Sequence, residues 1–198
     1  MDHLEHGREC YERHAWGDAY QAFLCADQAA TLQADDLERL ATAAYLTDRD
    51  IEFQRVQERL HRVHVEAQDP ERAARCAFWL AFTFLLRGEM GQSNAWIARG
   101  QRLVENRDCV ERDYLLLLVA EQQLREGRGD AAHTTLSHAV ATGESFGDAD
   151  LTAAARHLQG RALIQQGHVL AGLKRLDETM LAVVAGELSL IMTGMMYC

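Results

Sequence analysis

The residues best able to do chemistry stand at the start of the chain, where His3, His6, Cys10 and His14 are spaced three, four and four apart. That spacing places them along one stripe of a helix, and imidazole with thiolate is a donor set for a soft divalent ion. A straight stripe cannot wrap four ligands around one tetrahedral centre, so at least one ligand would have to come from another helix. These positions are therefore read as the interior face of a terminal helix pair, and no metal or cofactor is assigned. His61 and His64 have no spaced partner and read as part of a solvated face. No lysine follows a glycine and precedes Ser or Thr as a phosphate loop requires, and no nucleophile elbow, zinc-protease helix motif or paired-cysteine motif occurs. Gly127-Arg128-Gly129-Asp130 contains an adhesion-like tripeptide, but its glycines suit a turn that needs a permissive backbone. The expectation is a protein that is not an enzyme.

Composition narrows the class further. The 198 residues carry 20 Lys plus Arg against 30 Asp plus Glu, a formal charge of −10, with 48% hydrophobic residues, one proline and five cysteines. A chain of this length buries roughly 70% of its unfolded surface without help from a metal or a disulfide. Duplex DNA is disfavoured as a direct partner, since phosphate neutralisation needs a clustered basic face. The first twelve residues hold Asp2, Glu5, Glu9 and Glu12 and no apolar stretch of a secretory signal. The uncharged run from Cys76 to Leu86 is too short for a bilayer, which takes about 20 residues. A soluble, cytoplasmic protein without membrane contact is expected. Cys10, Cys25, Cys76, Cys109 and Cys198 are odd in number and widely spaced, which suits reduced thiols acting as small buried hydrophobes.

A repeat organises the chain. Gly7 to Ala26 reads as helix, tight turn, helix, with Ala19, Phe23 and Ala26 on one face of the second helix. The turn recurs at Asp48, Gly88, Gly127 and Gly167, giving successive spacings, starting at His14, of 34, 40, 39 and 40 residues. The stripe recurs as Phe53, Gln57 and Leu60, as Ser93, Ile97 and Gly100, as Ala132, Leu136 and Ala139, and as Gly172, Leu176 and Met180. Ala41, Ala81, Ala120 and Gly160 take the small position of the first helix. Small residues there let two helices approach closely. Breaks are read at Thr31 to Asp36, at Gln68-Asp69-Pro70, at Glu105 to Asp108 and at Gly143 to Asp148. No segment alternates with the period of a strand.

This pattern of small and large residues resembles the tetratricopeptide repeat. The resemblance implies an all-α, right-handed solenoid of about five helical hairpins plus an unpaired final helix, with residues 1–198 forming one array. Arg75-Cys76-Ala77-Phe78-Trp79-Leu80, Arg107-Asp108-Cys109-Val110-Glu111, Phe146-Gly147-Asp148-Ala149-Asp150-Leu151, Arg156-His157-Leu158-Gln159-Gly160 and Ala185-Gly186-Glu187-Leu188-Ser189 resemble the tetratricopeptide region of large LuxR-type bacterial transcriptional regulators. Such regulators also carry a carboxy-terminal helix-turn-helix domain, which nothing here supplies. The chain is accordingly read as a piece of a longer regulator.

Mapped onto this chain, the groove of tetratricopeptide domains falls on Tyr45, Phe78, Phe82, Leu85, Tyr114, Leu117, Glu121, Leu124, His157, Arg161 and Ile164. The set is apolar for a groove and lacks the Lys, Asn and Arg cluster that grips a peptide carboxylate. Apolar residues at helical spacing are core by default. The alternative is a concave site for a peptide, a partner helix or an apolar small molecule. The expected function is an interaction or sensor module of a regulator, with a small-molecule sensor as the second reading. Leu188 to Cys198 reads as the first helix of a sixth hairpin, apolar enough to suggest a homodimer through the last helices.

Overall fold

A computed structural model of the chain describes residues 2–197, and among them the regular elements are eleven helices with no strand. They are α1 (His3–Glu12), α2 (Trp16–Ala29), α3 (Ala34–Leu46), α4 (Asp50–Glu66), α5 (Pro70–Leu86), α6 (Met90–Leu103), α7 (Val110–Arg125), α8 (Gly129–Phe146), α9 (Ala149–Gln165), α10 (Val169–Val184) and α11 (Leu190–Tyr197). The chain divides into two compact units, Met1–Arg99 and Gly100–Cys198, and the division falls within α6. In the first unit α1 packs on α2, α3 on α4 and α4 on α5. In the second α7 packs on α8, α8 on α9 and α9 on α10, and α11 lies against α9 and α10. First helices of successive hairpins also touch, α1 with α3 and α7 with α9.

One backbone device closes every hairpin. His14, Asp48, Gly88, Gly127 and Gly167 all have positive φ, from 58° to 86°. In each case the next amide donates back around the turn to the carbonyl five residues earlier. These bonds run from Ala15 to Cys10, Arg49 to Ala44, Glu89 to Phe84, Arg128 to Gln123 and His168 to Leu163, at 2.8 to 2.9 Å. This is a Schellman termination, which satisfies carbonyls that the helix end leaves bare. The same bond joins Asp69 to His64, Asp148 to Gly143 and Glu187 to Ala182 between hairpins, after Gln68, Gly147 and Gly186. Asp2, Asp69 and Asp148 then cap α1, α5 and α9 by accepting from Leu4, Arg72 and Leu151.

The hairpins pack on small residues. Ala19, Phe23, Ala41, Phe53, Leu60, Ala81, Ala120, Ala132, Leu136 and Ala139 are all buried. A Cβ on Gly7 would stand 3.0 Å from the Phe23 ring, and one on Gly172 would stand 2.6 Å from the Gly160 carbonyl oxygen. In α10 the buried stripe is Gly172, Thr179 and Val183, so Thr179 replaces the expected Met180, as the three-residue step in the other hairpins requires. Gly143 does not break α8 either. It lies inside the helix, where a Cβ would collide with Thr152 Oγ1 of α9.

Arginine ties neighbouring first helices together. Arg8 donates from Nε and Nη2 to the buried Asp36 at 2.9 and 2.7 Å, and Arg39 adds a bond of 2.8 Å. The hydrogen bond from Arg8 holds the Asp36 carboxyl below its ordinary range. Arg72 joins α5 to Glu38 and Asp35 of α3, and Arg161 joins α9 to Glu121 of α7. Asp36, expected in a connection, is thus a first-turn residue of α3 that holds α1.

The two histidines of α4 correct the expectation of a solvated face: His61 and His64 are both buried. His61 Nδ1 lies 2.9 Å from the Ala73 carbonyl, which can only accept, so Nδ1 carries the proton. Its ring meets Trp96 edge-on at 5.0 Å, and Nε2 has no hydrogen-bond partner among the described residues. Burial, then the charges of Arg99 and His64, depress the His61 pKa against the opposing bond to Ala73. Cys25 also departs from expectation by being exposed, whereas Cys10, Cys76 and Cys109 are buried. Burial pushes the Cys76 thiol up to about 12, which leaves it inert. Cys198 lies outside the described residues.

Two outcomes follow. Asp48 pays for a left-handed backbone that glycine adopts freely, so Asp48→Gly should stabilise the chain by roughly 0.5 to 1 kcal/mol in urea denaturation; a loss of stability would contradict the turn. An unfolded histidine takes its proton near pH 6.5, above the depressed value of folded His61, so the fold loses stability as pH falls through 6.5 and keeps it above. Replacement by His61→Phe should flatten that slope in thermal melts between pH 7.5 and 5.5, leaving the part due to His157, whose pKa burial and Arg161 also depress.

Candidate interaction surface

The expected groove positions separate by depth. In the first unit Phe78 and Leu85 of α5 are buried, while Tyr45 of α3 and Phe82 of α5 are half-buried. Between them stands Trp79, also half-buried and absent from the expected set. Its ring lies 5.7 Å from Tyr45, 5.0 Å from Phe78, 6.1 Å from Phe82 and 6.0 Å from Phe53. Phe78 and Phe82 stack at 6.2 Å. Phe53 and Phe78 form the floor of this cluster, and Tyr45, Trp79 and Phe82 are its accessible rim. Trp79 and Phe82 are three apart, hence on one face of α5; a reading along the single stripe of residues 78, 82 and 85 passes beside the indole.

In the second unit Tyr114, Leu117 and Leu124 of α7 are buried. The Tyr114 hydroxyl donates to Asp148 Oδ1 at 2.9 Å, and the same oxygen accepts from the Leu151 amide at 2.8 Å. Tyr114 therefore anchors the cap of α9. Ile164 is half-buried against α10, where its Cγ1 would stand 2.6 Å from a Cβ on Gly172. The polar positions meet one another: Arg161 donates from Nη1 and Nη2 to Glu121 at 2.7 and 3.2 Å, and Arg125 Nε reaches the same carboxylate at 3.2 Å. His157, half-buried one turn before Arg161 on α9, is depressed by burial first and by the Arg161 charge next, with Glu121 acting the other way.

At the start of the chain the interior of the first hairpin is occupied by Gly7 and Cys10, whereas His3 and His14 are exposed. The histidines are thus not an inward stripe. His6 Nε2 lies 3.7 Å from Cys10 Sγ, and His14 stacks on Trp16 at 4.9 Å. Among the described residues no three His, Cys, Asp or Glu side chains converge to hold an ion.

The surface thus offers two chemistries on the first helices: an apolar aromatic rim on α3 and α5, and a hydrogen-bonded arginine-carboxylate edge on α7 and α9. Aromatic faces and edges accept aliphatic or aromatic side chains and cationic groups. At the arginine edge Arg161 and Arg125 share the single Glu121 carboxylate, which engages part of their donors. Among the described residues no helix is long and apolar enough to cross a membrane.

No protein-family model matches the chain, and neither does any curated protein. Among solved structures it is similar to nearly identical TPR-like repeats of a kinesin light chain-like protein from Podosopora anserina, at 16% identity and a TM-score of 0.56 over 94% of this chain and 96% of that one. A crystal structure of the same repeats carrying a single substitution aligns at 16% identity and a TM-score of 0.59, covering 94% and 95%. At this identity the likeness concerns the fold alone: the chain has a helical-repeat architecture of the TPR-like kind.

Proposed function

We propose that the chain is a protein-interaction module, and that the Tyr45, Trp79 and Phe82 rim receives an apolar segment of a partner protein. The observation that carries this reading is the partial accessibility of three aromatic rings in contact on α3 and α5, in a chain that buries Phe23, Phe53, Phe78 and Phe84. Aromatic side chains left accessible on a rigid scaffold bring contact area at small entropic cost and are common anchors of interfaces. The occupant is a peptide or partner helix whose apolar residues recur on one face. A charge of −10 argues against nucleic acid as that occupant. The setting proposed is the cytoplasm of a bacterium and a transcriptional regulator, on the resemblance of the Arg75 to Leu80 and Phe146 to Leu151 stretches to the LuxR type.

Selection of displayed random peptides on the immobilised chain tests the rim directly, whatever the natural partner. Enriched peptides should carry aromatic or aliphatic anchors, and Phe82→Asp should weaken their binding at least tenfold while the melting temperature moves little. Tyr114→Ala removes a buried ring and should instead cost about 3 to 5 kcal/mol of stability. Peptide binding that survives Phe82→Asp, or a melting loss there as large as in Tyr114→Ala, would remove the rim from the interface.

A further inference from the structure

The outer face of α10 carries leucines where a solvent-facing helix is ordinarily polar. Leu170 is 85% exposed, Leu181 70% and Val184 78%, with Leu173 beside them. The equivalent stripe of α8, one hairpin earlier, reads Asp130, Thr134, Ser137 and Ala141 and is exposed throughout. In α10 it reads Leu170, Lys174, Asp177 and Leu181, all exposed. The spacing of four, three and four keeps these residues on one face over three turns. The inner face of the helix is already used, since Gly172, Thr179 and Val183 are buried. Among the described residues neither Lys174 nor Asp177 is held in an ion pair, whereas Arg175 reaches Glu178 at 3.3 Å.

Reversed by a two-fold axis, the order leucine, lysine, aspartate, leucine becomes its own complement, leucine, aspartate, lysine, leucine. An axis crossing the helix between Arg175 and Leu176 sets Leu170 against Leu181 of a second copy and Lys174 against Asp177 of that copy, with both pairs repeated on the other side of the axis. A two-fold interface requires such self-complementarity, because the same patch must serve both subunits. We propose that the outer face of α10 is a homodimer interface, in which two copies of this chain lay their α10 helices antiparallel. A 16-residue helix is about 24 Å long, so the contact is a small one and the dimer a weak, concentration-dependent one. The proposal concerns different helices from the aromatic rim and stands or falls without it.

Charge exchange tests the pairing on exposed residues that the fold does not use. In sedimentation velocity from about 1 to about 300 µM, the wild-type chain should shift from monomer toward dimer. Lys174→Asp and Asp177→Lys should each weaken association at least tenfold, because each places like charges across the axis twice. Mixing the two variants should restore association as a heterodimer, since each then meets its opposite, and the double variant should pair with itself. Lys174 is the only lysine in the chain, so a carbodiimide should join it to Asp177 in a covalent dimer, the acceptor being assigned by fragmentation of the cross-linked peptide. Leu170→Glu with Leu181→Glu should abolish the dimer while leaving the helical spectrum intact. A strict monomer over the whole range would overturn the proposal, as would a dimer indifferent to the leucine changes or a variant mixture that fails to associate.

Discussion

The approach of two backbones within a hairpin is the constraint on which the rest of this molecule depends. Where α9 crosses α10, the Gly160 carbonyl occupies the space that a Cβ on Gly172 would need, and Ile164 closes over the same point. Gly7 yields in the same way to the Phe23 ring between α1 and α2. Elsewhere alanines keep the helices near while a phenylalanine or leucine fills the adjoining gap. Helices this close must be reversed within a few residues, and the left-handed residue with its Schellman bond does so in each hairpin. That device accepts His14 and Asp48 as well as glycine, at a cost the packing offsets.

Once the hairpins are fixed, the first helices of neighbouring hairpins lie side by side and arginine becomes the connecting residue. Its planar fork binds a carboxylate through two parallel bonds, which lysine cannot do. Arg8 with Asp36 and Arg161 with Glu121 are both of this form. The donors engaged in these ties are not free for a partner. Beside these ties the first helices of the first unit leave Tyr45, Trp79 and Phe82 partly accessible over a floor of Phe53 and Phe78. A surface of this kind favours recognition by shape and burial over recognition by charge.

The hairpin register was legible because its signals are steric. A glycine at a turn, or an alanine facing a large residue, admits few substitutes, and those positions fell where the periodicity put them. Depth was less legible. Tyr114 and Phe82 occupy similar places in the pattern, yet Tyr114 is drawn inward by the Asp148 cap while Phe82 remains at the rim, a difference made by a residue on another helix. His61 and His64 sit among charged residues and look solvated, but α4 turns that edge toward Ala73 and Trp96. Trp79 lies off the stripe of residues 78, 82 and 85, and the cluster straddles two stripes of α5. The misplaced depths of Tyr114 and His61 arise from partners on other helices, which helical spacing does not encode.

Backbone proximity can be measured against helix propensity, because the two act on a glycine with opposite signs. Alanine in an open helical site gains roughly 0.5 to 1 kcal/mol over glycine, and Gly91 in α6 has nothing within 4 Å of a built Cβ. Gly172→Ala and Gly91→Ala, compared by chemical denaturation, should therefore diverge: Gly91→Ala neutral or stabilising, Gly172→Ala destabilising despite its better propensity. A Gly172→Ala chain as stable as the Gly91→Ala chain would show that the helices do not meet at that point, and the account of the hairpin would be wrong.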